Sequence, residues 1–187
     1  MFMRIILLFA APFLLWGFAA QAQENSPVYV IKKGSVKFTS DAPLELIEAE
    51  SKELKGLIDF GKETFAFTVA SGSFEGFNSA LQKEHFNENY MESKIFPRSS
   101  FSGKIIEKLD LSQDGDYTIR AKGKLVVHGV EQERIIKSGL KVRNGVVAIE
   151  SVFTVPLQDH NITIPKVVYQ KIAEEITVAI NAVAEKK

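Results

Sequence analysis

The sequence predicts an all-β fold, an antiparallel β-barrel of about eight strands interrupted by one helix. Apolar and polar residues alternate along much of the chain, which is typical of strands with one buried face. Asn144-Gly145 joins two alternating segments and is a strong signal for a two-residue hairpin turn. Between Phe77 and Phe101 the alternation stops. A barrel is favoured over a sandwich because closure leaves no sheet edge exposed.

The strands are identified by apolar residues at every second position. In residues 63–70, for example, Phe65, Phe67 and Val69 fall on the same face. Small barrels either fill their interior with such side chains or hold one small ligand there, and the pattern leaves both alternatives open. The predicted strands span residues 28–31, 34–40, 44–50, 54–60, 63–70, 101–111, 116–127, 130–143, 146–156 and 175–185.

The helix is predicted over residues 78–91. Asn78 is the expected N-cap and is followed by good helix formers. The helix must end before Pro97, because the residue before a proline avoids the helical region. Its apolar residues do not form one stripe, so we expect the helix to lie across the barrel as a lid. A second, short helical turn is predicted for residues 165–172. The apolar residues of the lid helix are Leu81, Phe86, Tyr90 and Met91.

Residues 1–22 have the features of a secretory signal peptide. A short start that contains Arg4 precedes an apolar run over residues 5–18, and Ala20-Gln21-Ala22 is a small-x-small cleavage pattern. The apolar run is shorter than the ~20 residues that a membrane span needs. We therefore expect cleavage near Ala22, no transmembrane segment after cleavage, a periplasmic or secreted location, and a single domain over residues 23–187.

The composition argues against several classes of function. The chain has 23 basic and 23 acidic residues, which gives no positive patch for a nucleic-acid partner. It has no cysteine, which excludes disulfides and thiol catalysis. It lacks the glycine-rich phosphate and dinucleotide motifs, the Gly-x-Ser-x-Gly motif and the His-Glu-x-x-His motif. We therefore predict no enzymatic activity, no catalytic residues and no cofactor.

The histidines do not indicate a metal site. Glu84 and Glu88 would share a face of the predicted helix, but His85 is rotated from Glu84 by about 100°. No two histidines stand at ligand spacing on one element. We therefore expect no bound metal. His85 is instead predicted to cap the barrel mouth or to touch the head group of a ligand, and His128 to hydrogen-bond its own hairpin turn.

The 14 phenylalanines indicate an aromatic interior. They either line a ligand cavity or pack as an ordinary core, and the residues alone leave both interpretations open. Each buried methylene contributes ~0.8 kcal/mol, so a bound hydrocarbon chain would need polar contacts only at its head. The candidate ligand-binding residues are Phe38, Phe65, Phe67, Phe77, Leu81, His85, Phe86, Tyr90, Met91, Phe96, Phe101 and Phe153.

Four groups of residues together resemble the YceI-like family of exported proteins. They are Glu84-His85-Phe86, Phe96-Pro97, the run from Gly123 to Val130, and the stretch from Phe153 to Ile164. The resemblance covers roughly residues 28–185. It implies a lipocalin-like antiparallel barrel that holds an isoprenoid or similar amphiphilic chain in an elongated apolar cavity. Residues 41–50 depart from the family's opening and indicate a divergent branch.

The leading hypothesis is an exported, non-enzymatic carrier that binds an isoprenoid or similar lipid in an apolar barrel cavity. The alternative is a structural or stress-related accessory protein, whose filled barrel acts through a protein–protein surface. A third hypothesis, favoured less, is a hydrolase or metal-dependent enzyme without a recognisable motif. The expected partner of the carrier is a hydrophobic small molecule or lipid, and the sequence leaves a homodimer open.

Overall fold

The computed structural model describes residues 27–109, 111 and 113–187, so the expected signal peptide lies outside the described residues. The described residues form nine strands and one α-helix. The helix α1 covers Ala80–His85. The strands are β1 (Val28–Ala42), β2 (Glu45–Ser51), β3 (Lys55–Asp59), β4 (Thr64–Ala70), β5 (Arg98–Ile105), β6 (Gly115–Val127), β7 (Val130–Arg143), β8 (Val146–Pro156) and β9 (Glu175–Lys186).

The long strand β1 closes the sheet into a barrel. One of its edges pairs with β9 from Tyr29 to Thr39. Its other edge pairs first with β3, at residues 28–30, and then with β2, at residues 36–42. Eight strands, β1 and β3 to β9, therefore form a closed antiparallel barrel, and β2 is an additional strand beside β1. The predicted barrel of about eight strands is confirmed.

The sequence divided β1 into two strands, at residues 28–31 and 34–40, and this division is wrong. The chain runs on as one strand, with an irregularity in its pairing to β9 between Ile31 and Lys33. A bulge of this kind inserts a residue without ending the strand, so the alternation of side chains slips while the ladder continues. The slip in the pattern is what made one strand resemble two.

The predicted hairpin turn at Asn144-Gly145 is confirmed. Both residues have positive φ angles, 50° and 76°, as a type I′ turn requires. His128-Gly129 makes the equivalent turn between β6 and β7, with φ angles of 50° and 72°. These two-residue turns fix the register of β6, β7 and β8.

The helix lies where the sequence placed it but begins at a different cap. Ser79, and not Asn78, is the N-cap, and its Oγ accepts a hydrogen bond from the backbone N–H of Gln82 at 3.1 Å. The Asn78 side chain instead donates to the carbonyl oxygen of Leu46 on β2, at 2.9 Å. The predicted cap is therefore wrong because Asn78 bonds to the sheet. After α1 the chain continues as a π-helical turn over Phe86–Tyr90.

The end of β5 differs from the prediction for residues 101–111. The strand stops at Ile105, and the Glu107 carboxylate accepts the backbone N–H of Arg120 at 2.6 Å. A side chain thus takes the place of a strand carbonyl, and the chain leaves the sheet. Leu109 and Leu111 still pack against the core from the connection to β6. The short turn predicted over residues 165–172 is present as a 3-10 turn at Lys166–Val168.

The two ends of the barrel are packed differently. At the far end, where β7 finishes and β8 begins, Val142 and Val147 are completely buried, and Ala184 of β9 lies beside them. The mouth end is where β4 and β8 finish and β5 and β9 begin. Residues 71–97 cross this end, and we call them the lid. The tightly packed core therefore lies towards the far end, and space remains beneath the lid.

Candidate functional site

A cavity of about 470 Å³ occupies the mouth half of the barrel. Its walls are inward-facing side chains of the strands, among them Val36 on β1, Val69 on β4 and Val178 on β9. The lid covers it with Phe86, Tyr90 and other residues of the helical segment. Alternation along each strand points every second apolar side chain into the same space, which makes the lining predominantly apolar.

Aromatic contacts attach the lid to β1. The rings of Phe38 and Phe86 are stacked, with centroids 5.2 Å apart and an interplanar angle of 12°. Phe77 lies against the same two rings, at centroid distances of 5.8 Å from Phe38 and 5.1 Å from Phe86. Phe74 is buried beside them, 5.5 Å from Phe38. These four rings form one wall of the cavity and hold the helical segment over it.

Three phenylalanines form the floor of the cavity. Phe67, Phe101 and Phe153 line both the main cavity and a smaller one of about 50 Å³ towards the far end. Phe65 lies below them and packs against Phe101 at a centroid distance of 4.9 Å. The interior is thus divided by aromatic side chains into a large upper and a small lower space.

Polar groups are concentrated at the mouth of the main cavity. The Gln82 amide donates from Nε2 to Oε1 of Glu45 at 2.9 Å, which joins α1 to the start of β2. His85 and Lys171 are exposed and also reach the lining. Tyr90 is more enclosed, and burial raises the pKa of its phenol above the usual value. An amphiphilic molecule would therefore meet charged side chains at the entrance, while strand residues with hydroxyl groups, such as Ser40 and Thr68, also border the cavity.

A second set of contacts fastens the C-terminal part of the lid to the β6–β7 turn. His128 lies within hydrogen-bonding distance of two groups: its Nε2 is 2.7 Å from the Glu92 carboxylate, and its Nδ1 is 3.1 Å from the carbonyl oxygen of His160. Phe96 packs edge-on against the His128 ring at a centroid distance of 4.7 Å. The prediction that His128 bonds its own turn is therefore wrong, because the lid and the segment after β8 supply its partners.

The structure brings most of the candidate residues together. Phe65 contributes to the smaller cavity only, and Phe96 lies at His128, away from both cavities. The other ten candidates line the main cavity. The candidates that line the main cavity are Phe38, Phe67, Phe77, Leu81, His85, Phe86, Tyr90, Met91, Phe101 and Phe153.

Sequence reasoning missed two kinds of lining residue. Aliphatic residues such as Val36, Ile47 and Ile180 share the inward faces with the phenylalanines, and the alternation itself was the signal for them. The polar residues Glu45 and Lys171 were missed because they come from segments far apart in sequence. No local pattern connects such residues.

Two further features of the described residues bear on function. Residues 27–109, 111 and 113–187 contain no group of three or more histidine and carboxylate side chains arranged to hold a metal ion. Within the same part of the chain, no helix is both long and apolar enough to cross a bilayer.

The fold and the site define a closed antiparallel barrel with a lid and an internal apolar cavity. The chain belongs to the family of the YceI-like domain, whose model matches residues 29–184. This match confirms the resemblance noted in the sequence. No curated protein matches the chain significantly by sequence.

Solved structures of similar fold come from several bacteria. A polyisoprenoid binding domain from Saccharophagus degradans, implicated in plant cell wall breakdown, has a TM-score of 0.71 and 11% identity, covering 85% of this chain and 98% of its own. BcnA from Burkholderia cenocepacia has a TM-score of 0.66 and 14% identity, with 80% and 95% coverage. A YCEI protein from Campylobacter jejuni has a TM-score of 0.58 and 14% identity, with 75% and 85% coverage. At these identities the likeness shows the fold.

Proposed function

We propose that this protein is a non-enzymatic carrier that binds one amphiphilic chain, such as a polyisoprenoid, in the cavity beneath the lid. The observation that carries the proposal is the cavity of about 470 Å³ with its predominantly apolar lining. Its volume lies within the range of about 300–1,000 Å³ that is usual for small-molecule sites. The similar domain from Saccharophagus degradans is described as polyisoprenoid-binding, which supports the same class of ligand here.

The energetics of such a ligand agree with the lining. Transfer of one methylene from water into an apolar site contributes ~0.8 kcal/mol, so a five-carbon isoprene unit contributes roughly 3–4 kcal/mol. A few units in the cavity would outweigh the cost of ordering a flexible chain. The hydrocarbon needs no polar partner. The head group would remain at the entrance, where Glu45, Gln82 and Lys171 offer both signs of charge and an amide.

His85 is proposed to contact the head group. It lies on α1, is exposed and borders the cavity. Replacing it with alanine should weaken retention of a ligand that has a polar head and leave a simple hydrocarbon unaffected. Equal retention of both ligands by the variant would remove His85 from the site.

A barrel filled by its own side chains is not favoured by a cavity of this size. The accessory-protein alternative was distinguished from the carrier by a filled barrel, so the cavity supports the carrier over that alternative. Export remains part of the proposal, because the apolar run and the Ala20-Gln21-Ala22 pattern precede the described domain.

The proposal is tested by native mass spectrometry of the full chain, expressed with its own N-terminal segment and purified without detergent. A carrier should show a stoichiometric adduct that organic extraction releases. Protein that has been freed of this adduct should then bind added polyprenol or isoprenoid quinone at a ratio of one to one. A ligand-free mass together with no binding of either compound would overturn the proposal. The mass of the purified protein also shows whether cleavage occurs near Ala22.

A further inference from the structure

Large apolar side chains are exposed on three segments around the cavity mouth. Leu44 and Leu46, at the β1–β2 turn and the start of β2, are 66% and 52% exposed. Leu81 on α1 is 58% exposed. Val167 and Tyr169, in the 3-10 turn before β9 and just after it, are 88% and 63% exposed. We call these five side chains the mouth rim.

Hydrogen bonds hold the three segments side by side. The backbone N–H of Leu44 donates to the carbonyl oxygen of Gln170 at 2.9 Å, which places the β1–β2 turn against the 3-10 turn. The bond from Gln82 to Glu45 places α1 against the residue between the two rim leucines. The mouth rim is therefore one surface built from three parts of the chain.

The rim is continuous with the cavity. Val168 and Lys171 line the cavity, whereas Val167 and Tyr169 of the same segment point into solvent. Other exposed apolar residues include Ile95 in the lid, and Ile135 on β7 and Val152 on β8 in the barrel wall. Single exposed residues are ordinary, but apolar residues gathered at the entrance of an apolar cavity mark an interaction surface.

The charge of the 3-10 segment indicates the kind of partner. Residues 161–173 contain Lys166 and Lys171 and no acidic residue. Lysines that flank apolar and tyrosine side chains are typical of segments at a bilayer surface, where the stems lie along the hydrocarbon and the ammonium groups reach the head groups. The other rim segments carry charges of both signs: Asp41 and Glu45 lie on the β1–β2 side, and Lys83 on α1 is paired with Glu75.

We propose that the mouth rim docks on the surface of a phospholipid bilayer with anionic head groups, with residues 166–171 entering the interface first. The cavity mouth would then face the bilayer, and a hydrocarbon chain would pass between lipid and cavity without crossing water. This role rests on the proposed carrier function, but docking itself requires no bound ligand. The start of β1 and the end of β9 lie at the far end of the barrel, away from the mouth rim. They are joined there by a hydrogen bond from the N–H of Lys187 to the carbonyl oxygen of Val28, at 2.8 Å.

The test is sedimentation of the full chain with vesicles of phosphatidylethanolamine and phosphatidylglycerol. The double variant Val167→Ser/Tyr169→Ser should partition onto these vesicles at least about ten-fold less than the wild type. The matched control is Ile135→Ser/Val152→Ser, which removes similarly exposed apolar groups from the barrel wall. It should bind as the wild type does.

The variant Lys166→Ala tests the charge. Its partitioning onto anionic vesicles should fall about five-fold, and its partitioning onto neutral vesicles should change little.

Binding of polyprenol in vesicle-free solution separates docking from the carrier function. Val167 and Tyr169 do not line the cavity, so the rim variant should keep the wild-type affinity for the ligand. The docking proposal is overturned if the wild type does not sediment with vesicles, or if the rim and wall variants lose vesicle binding equally. It is also overturned if sedimentation velocity shows that the rim joins two copies of the chain. A failure of polyprenol binding alone would count against the carrier and leave docking supported.

Discussion

The ring of Phe86 lies parallel to that of Phe38, with 5.2 Å between their centroids. This stack joins the π-helical turn of the lid to β1, the strand that pairs with β2, β3 and β9. The stack therefore connects the cover of the cavity to the strand that closes the barrel. Together with the contacts of Phe74 and Phe77 to Phe38, it should resist opening of the cavity.

Replacing Phe86 with alanine should loosen the lid. We expect a loss of about 1–3 kcal/mol in unfolding free energy, less than for a fully buried phenylalanine because Phe86 is half-buried. Hydrogen exchange should become faster over residues 80–91, and a bound ligand should dissociate faster. Phe86→Leu keeps most of the apolar contact and should give about half the effect. Unchanged exchange in the alanine variant would show that the stack does not hold the lid.

Tryptophan at Phe67 and at Phe65 should have different effects. Phe67 forms part of the floor of the main cavity, so Phe67→Trp should fill part of that space and lower ligand affinity at least about ten-fold. Phe65 is 6% exposed and lines only the smaller cavity, so Phe65→Trp should destabilise the fold by about 1–3 kcal/mol and change affinity less. Titration of each variant with polyprenol and its denaturant unfolding curve give both quantities. Equal affinities for the two variants would argue that the main cavity is not the binding site.

The phenol of Tyr90 should report occupancy of the cavity. Burial raises its pKa because removal from water costs the charged phenolate more than the neutral phenol. A ligand that displaces water from the cavity should raise this pKa further, and removal of the ligand should lower it again. The measurement is a tyrosinate absorbance titration of the wild type minus that of Tyr90→Phe, with and without ligand. A pKa that ligand leaves unchanged would place the ligand away from Tyr90.

Glu92 should matter more than other carboxylates of the lid. It accepts a 2.7 Å hydrogen bond from His128, whose side chain is largely buried. Glu92→Ala should cost about 1–2 kcal/mol and speed hydrogen exchange over residues 91–97, because a partly buried donor loses its partner. Glu88 is the matched control, since its contact with Lys94 is 3.4 Å long and exposed. Glu88→Ala should change stability by less than about 0.5 kcal/mol, and equal effects of the two variants would contradict the proposed role of Glu92.

Two strand glycines should respond oppositely to alanine. Gly123 faces Gly103 across β5 and β6, and a Cβ on Gly123 would collide with the backbone of Ser102. Gly123→Ala should therefore destabilise the barrel by about 2 kcal/mol or more, since backbone must shift. A Cβ on Gly139 of β7 would meet nothing closer than 3.9 Å. Gly139→Ala should be neutral or slightly stabilising, because it restricts the unfolded chain. The measurement is the midpoint of thermal unfolding of each variant compared with the wild type.

Local patterns were sufficient for most of the secondary structure. The alternation in β4, β6, β7 and β8 predicted their bounds to within a residue or two, and Asn144-Gly145 predicted its turn, because both depend on neighbouring residues. Apart from the bulge that divided β1, the errors named here arose where a distant group intervened. Asn78 left the cap position for a carbonyl group of β2, and Glu107 ended β5 by taking a backbone donor of β6.

The sequence by itself determined which faces of the strands point inwards, that they are rich in phenylalanine, and where the helix interrupts them. Only the tertiary structure decided whether those side chains meet in the middle or leave a space. The answer depends on the width of the closed barrel and on the lid, which covers the mouth instead of entering the barrel, and neither is encoded in a local period. The polar mouth likewise forms only when the chain closes on itself, because three separate segments supply Glu45, Gln82 and Lys171.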